Sequence, residues 1–160
     1  MSLVTAHCSR LPGGTPLDRA WIESHIPHHG RMCLLDEVLS WDAARISCRV
    51  SSHRLADNPL RAHGRLGAAC GVEYAAQAMA VHGALMAHNS GTRARAGLLT
   101  SVRNLVLAVT RLDDCDADLI ASAERVAGDG GSTLYEFTVM SGGRELLSGR
   151  ASIVFGREST

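Results

Sequence analysis

The sequence predicts an α+β domain in which a curved antiparallel sheet wraps one long helix, and three observations carry that prediction. Gly67–His88 reads as a helix that is apolar nearly all round, the kind a fold encloses. Several segments alternate apolar and polar residues with the two-residue period of half-buried strands, as Ile46, Cys48 and Val50 do. Glycine-rich turns, Gly128-Asp-Gly-Gly131 and Ser141-Gly-Gly143, join the later segments as hairpins. Strands segregated around a single helix are the α+β pattern.

In chain order, residues 1–15 hold Pro12-Gly13-Gly14 without apolar periodicity and read as a loose leader. A short helix is expected over Pro16–His25, since proline suits a helix start. Pro27-His28-His29-Gly30 breaks the chain before two strand segments, Met32–Trp41 and Arg45–Ser51, separated by Asp42-Ala43 as a hairpin. A loop from Ser52 to Arg65 leads into the long helix, and four strands follow: Gly97–Ala108, Asp118–Ala127, Thr133–Met140 and Glu145–Phe155. No repeat or second-domain boundary interrupts the 160 residues, so a single domain of about five or six strands is expected.

Composition narrows the function classes. Net charge is zero and all 16 basic residues are arginine, which gives no lysine-rich tail for nucleic acid or an anionic membrane. The apolar helix is interrupted by Glu73, Gln77 and His82, and the first residues lack signal-peptide character, so a soluble cytoplasmic protein is the expectation. Five widely spaced cysteines, Cys8, Cys33, Cys48, Cys70 and Cys115, lack zinc or redox spacing and read as reduced thiols. The His28-His29 pair has no nearby acid or thiol to complete a metal ligand set, and these residues read as shaping a turn.

Glu73 is the first candidate for chemistry. Burying a bare carboxylate costs several kcal/mol, so a glutamate in such a helix is paired, held neutral, or placed in a cleft where it acts. A structural pairing to Arg103 or Arg65 is the plain alternative. His82 and His88 read as packing or interface residues, and Cys70 as an apolar filler near the helix start.

Two stretches resemble a known family. Ile26-Pro-His-His-Gly-Arg-Met-Cys-Leu-Leu-Asp-Glu-Val-Leu39 is similar to the "LPHR…(F/M)LL(V/L)DRV" opening of bacterial 3-hydroxyacyl-(acyl carrier protein) dehydratases. Gly71-Val-Glu-Tyr-Ala-Ala-Gln77 resembles their "IEAMAQ" central-helix motif, and more nearly the "GIEYMAQA" of a divergent branch in aryl polyene and related fatty-acid-like pathways. The resemblance implies the hotdog fold over about residues 20–155, closed by dimerisation into a homodimer, a heterodimer with a paralogous subunit, or a higher oligomer. It implies dehydration of a 3-hydroxyacyl thioester, carried on acyl carrier protein or coenzyme A, without metal or redox cofactor.

By residue, the resemblance makes Glu73 the acid that protonates the departing hydroxyl. The base is expected to be His63, in Asn58-Pro-Leu-Arg-Ala-His63, with His53 and His29 as substitutes. His63 stands only ten positions before Glu73, so the loop is shorter than the family's and the proline pair after the histidine is absent. Gly67 and Ala68 stand where the family has Pro-Gly, at the helix start whose N–H groups would hold the thioester carbonyl. Gln77 matches the motif glutamine one turn beyond the acid, and Arg103 is a candidate contact for a partner subunit or a pantetheine phosphate. Two other functions share this pattern: thioester hydrolysis with Glu73 activating water, and a degenerate subunit that has lost its base and supports an active paralogue.

Overall fold

The structure, a computed structural model, describes residues 7–156. Its elements in order are β1 (His7–Cys8), α1 (Arg19–His25), β2 (Glu37–Trp41), β3 (Arg45–Val50), α2 (Gly71–Asn89), β4 (Gly97–Leu107), β5 (Leu119–Gly128), β6 (Ser132–Ser141) and β7 (Arg144–Phe155). They form one antiparallel sheet in the order β1-β2-β3-β5-β6-β7-β4, open at both ends. The expected five or six strands are present, and the two-residue β1 adds a seventh.

Each turn has a local cause. Asp42 Oδ1 accepts the N–H groups of Ala44 and Arg45 at 2.7 and 2.9 Å, an Asx turn that folds β2 onto β3. Asp129 Oδ1 does the same for Gly131 and Ser132 between β5 and β6. Gly142 and Gly143 both take positive φ, 57° and 77°, which matches the tight turn between β6 and β7 to the strand twist. Strict alternation then follows along β6, whose Tyr135, Phe137 and Val139 point into the core.

The core lies between the concave face of the sheet and α2. Nineteen residues make α2 about 28 Å long at 1.5 Å per residue, enough to run along the sheet. Tyr74, Ala75, Ala78, Val81 and Leu85 are its buried contacts, and a 3-10 turn over Ala68–Cys70 leads into it. The small alanines let the strands come close, while Tyr74 anchors the preceding loop: its hydroxyl takes hydrogen bonds from Asn58 Nδ2 at 2.8 Å and Ser52 Oγ at 3.3 Å.

Three expectations shift. The first helix begins at Arg19, because Asp18 caps it by accepting the Trp21 N–H. The second strand begins at Glu37 and not Met32, because Leu34 N–H bonds to the Gln77 side chain and not to a neighbouring strand. Of the expected leader, residues 1–6 lie outside the described residues; from His7 onward it is tied down through β1 against β2, the Arg10–Pro16 bridge and buried Leu11.

β4 returns from α2 to the far side of β7, leaving its other edge unpaired among the described residues. Leu98 is 73% and Val106 57% exposed there, and the strand carries register shifts between Leu99 and Ser101 and between Arg103 and Val106. Among the described residues no helix is long and apolar enough to cross a membrane.

Candidate active site

Glu73 lies in the first turn of α2, on the wall of a cavity of about 790 Å³. The cavity runs along the α2 face of Ala76, Ala80 and Gly83, roofed by Leu98 and Leu99 of β4 and by Ile153 and Phe155 of β7. That wall suits an acyl chain, with small residues below and larger apolar side chains above. His28 lines the same end as Glu73.

The Glu73 carboxylate is held at one oxygen. Oε1 lies 3.2 Å from His28 Nε2 and 3.3 Å from Gln77 Nε2. Gln77 is itself fully buried and fixed twice more: its Nε2 donates to the Met32 carbonyl at 2.7 Å, and its Oε1 accepts the Leu34 N–H at 2.9 Å. One side chain therefore ties the opening Met32–Leu34 segment to the helix and orients the acid one turn below it. The plain alternative, a Glu73 paired to Arg103 or Arg65, is not the arrangement found; its partners are His28 and Gln77.

Of the other expected site residues, Gln77 is hydrogen-bonded to Glu73, whereas His63, Gly67, Ala68 and Arg103 do not line the cavity. His63 sits exposed in the turn between the bridged Ala62 and Arg65, with φ of 52°, and does not line the cavity. The histidine brought to Glu73 within the chain is His28. His29 is exposed, and His53 is buried, with Nε2 against the Cys115 carbonyl at 3.0 Å and burial pushing its pKa down. Ala68 N–H is committed to the Thr110 carbonyl at 3.1 Å, and Cys70 N–H to Gly67 O at 3.0 Å, so the helix entry spends donors internally. Gln77 likewise has both amide hydrogens and its oxygen engaged inside the chain. Arg103 is exposed on β4, outside the cavity.

The loop before α2 is braced from below. Asp113 accepts Leu66 N–H at 3.0 Å and binds Arg111 and Arg61, and the Arg111 guanidinium holds its carboxyl well below the usual range. Farther along the cavity, His82 bonds through Nδ1 to the Tyr135 hydroxyl and through Nε2 to the Asp42 carbonyl, each at 2.8 Å. A carbonyl only accepts, so Nε2 carries the proton and Nδ1 accepts from the tyrosine. Burial keeps His82 neutral by lowering its pKa and pushes Tyr135 up to about 12.

The sequence pattern singles out Glu73 but not its contact with His28, a residue that the pattern places in a turn. The contact joins positions far apart in sequence; the only local signal was a histidine directly after Pro27 in the opening motif.

A curved antiparallel sheet around one long helix, with an acid in the helix's first turn on the wall of a largely apolar cavity, defines a hotdog-fold domain. The chain belongs to the ApeP-like family, whose model, described as ApeP dehydratase, matches residues 20–159. Among solved structures it is similar to the dehydratase heterocomplex ApeI:P from Xenorhabdus doucetiae, at 20% identity over 86% of this chain and 91% of that one, with a TM-score of 0.75. Zebra fish thioesterase superfamily member 2 shares the fold at 13% identity, over 86% and 95% of the two chains, with a TM-score of 0.59. No curated protein matches the sequence.

Proposed function

We propose that the chain dehydrates a 3-hydroxyacyl thioester to the trans-2-enoyl thioester, with the substrate carried on acyl carrier protein or coenzyme A in the cytoplasm. The observation that carries this reading is Glu73: a carboxyl in the family's helix motif, contacted at one oxygen, on the wall of a largely apolar cavity of about 790 Å³. Glu73 delivers a proton to the 3-hydroxyl, which leaves as water with the C3–O electron pair. A base takes the C2 proton, and the C2–H pair becomes the double bond. Negative charge developing on the thioester oxygen near Glu73 lies at the positive end of the α2 dipole.

His63 is the base in this reading. Because it is exposed on its own chain, it would take the C2 proton of a substrate bound at the Glu73 of a second hotdog subunit, either a copy or a paralogue. The unpaired edge of β4, with its exposed Leu98 and Val106, is the surface suited to such a subunit.

The test is the product mass formed from 3-hydroxyacyl thioesters by the purified chain, alone and with a paralogous subunit. Loss of 18 Da that disappears in Glu73→Gln is expected. Release of free acid instead would make the chain a thioesterase, and turnover indifferent to Glu73→Gln in the presence of an active paralogue would make it a supporting subunit. Mixing Glu73→Gln with His63→Ala protomers should restore part of the activity that each lacks; no restoration would refute a site shared between copies.

A further inference from the structure

We infer that His28 is a positioning residue for Glu73: it donates Nε2–H to Oε1 and thereby leaves Oε2 as the oxygen that carries and delivers the proton. The inference rests on the dehydratase reading and deepens it. Three observations support it together. His28 Nε2 and Gln77 Nε2 converge on the same Glu73 oxygen, at 3.2 and 3.3 Å. The other ring nitrogen, Nδ1, is enclosed with no hydrogen-bond partner among the described residues. Both His28 and Glu73 line the cavity.

A proton on Nδ1 would be a buried donor without an acceptor, and leaving a donor so is costly. A bare Nδ1 lone pair costs less, which favours the tautomer with its hydrogen on Nε2, facing Glu73. Two N–H donors on Oε1 make that oxygen the carbonyl-like one whenever the carboxyl is protonated. The acidic hydrogen is then confined to Oε2, an oxygen to which none of the described residues donates.

Proton traffic balances without assigning His28 a net transfer. Oε2–H gives its proton to the leaving hydroxyl and ends as carboxylate, still held by both N–H donors. The base ends protonated by the C2 hydrogen, and solvent exchange resets both groups between turnovers. His28 keeps its own hydrogen throughout, which separates positioning from acid-base catalysis. It also separates the His28 role from that of His63.

The experiment compares His28→Leu and His28→Gln with wild type in steady-state dehydration, using the full chain with whatever subunit it needs for activity. Leucine removes the donor at similar bulk; glutamine supplies an N–H in its place. His28→Leu is expected to lower kcat at least tenfold with KM within about threefold, in line with the loss of an oriented acid, and His28→Gln to recover a substantial part of it. Wild-type kcat in His28→Leu, or glutamine no better than leucine, would overturn the assignment.

A second readout does not depend on turnover: ¹⁵N spectra of the histidine rings, with the His28 signals identified by their loss in His28→Leu. The Nε2–H tautomer with signals that move in Glu73→Gln is expected; an Nδ1–H tautomer or signals indifferent to Glu73→Gln would overturn the inference even in an active enzyme. If the expected signals are found but no 3-hydroxyacyl thioester is dehydrated, the dehydratase reading falls, and with it the role of His28 in proton delivery.

Discussion

Replacing Gln77 by leucine removes the amide while keeping the volume of a fully buried side chain, so the cost is a hydrogen-bonding cost. Two backbone groups lose their partners: the Leu34 N–H, bonded at 2.9 Å, and the Met32 carbonyl, bonded at 2.7 Å. An orphaned buried group costs about 1–3 kcal/mol, and the leucine recovers some apolar contact, so a net loss of about 3 kcal/mol is expected. For a domain of this size that corresponds to about 6–12 °C in Tm. The measurement is thermal unfolding by circular dichroism at one fixed protein concentration, since any dimer makes Tm concentration-dependent. Turnover should fall as well, because Glu73 Oε1 loses the Gln77 N–H that donates to it. Gln77→Glu provides the contrast: it keeps an acceptor for Leu34 N–H but can no longer donate to Met32, and it sets a second carboxyl one helical turn from Glu73. A loss below about 1 kcal/mol in Gln77→Leu would show that the opening segment is held by its apolar residues and would refute the claim that this amide is the tie.

Two further predictions concern stability. A Cβ built at Gly149 would lie 2.8 Å from Phe137 Cζ, and that ring is buried, so Gly149→Ala should destabilise by about 1–3 kcal/mol in urea unfolding; an unchanged midpoint would show that β6 and β7 can part without cost. His53 and His82 both have pKa values lowered by burial, so the unfolded chain binds more protons than the folded one. Their contribution is present in full above the unfolded histidine pKa of about 6.5 and is lost as pH falls through the folded values. Unfolding free energy should therefore decline on acidification below about pH 6.5, and less steeply in His82→Gln, whereas a flat profile from pH 7 to 5 would contradict the neutral, hydrogen-bonded state of both rings.

The parts of the fold legible in sequence are those determined by near neighbours. Alternation along β6 and the paired glycines at 142 and 143 place a strand and its hairpin almost to the residue. The long helix announces itself by its apolar run, and Glu73 by being the carboxylate within it. What escapes local reading depends on residues distant in sequence. Met32–Leu34 has strand-like residues, yet its backbone bonds to a glutamine side chain on α2, so the strand starts later. His63 is the base that the family resemblance implies, but the loop that bears it, anchored by Asn58 and Tyr74, leaves it exposed, while His28 lies beside Glu73. The order of the sheet is equally non-local, since β4 crosses over to pair with the last strand of the chain.

The free margin of β4 is a row of backbone donors and acceptors interrupted by two irregularities, the second marked by Asn104 at φ 53°. A straight strand laid beside it would meet some of these groups out of step, and each mismatch would strand a polar group. Only a strand with matching offsets could continue the ladder along its full length. Indiscriminate edge-to-edge growth into fibrils is thus discouraged by backbone shape, and the same kinks act as a combination lock, admitting a neighbour by its spacing before any side chain is read.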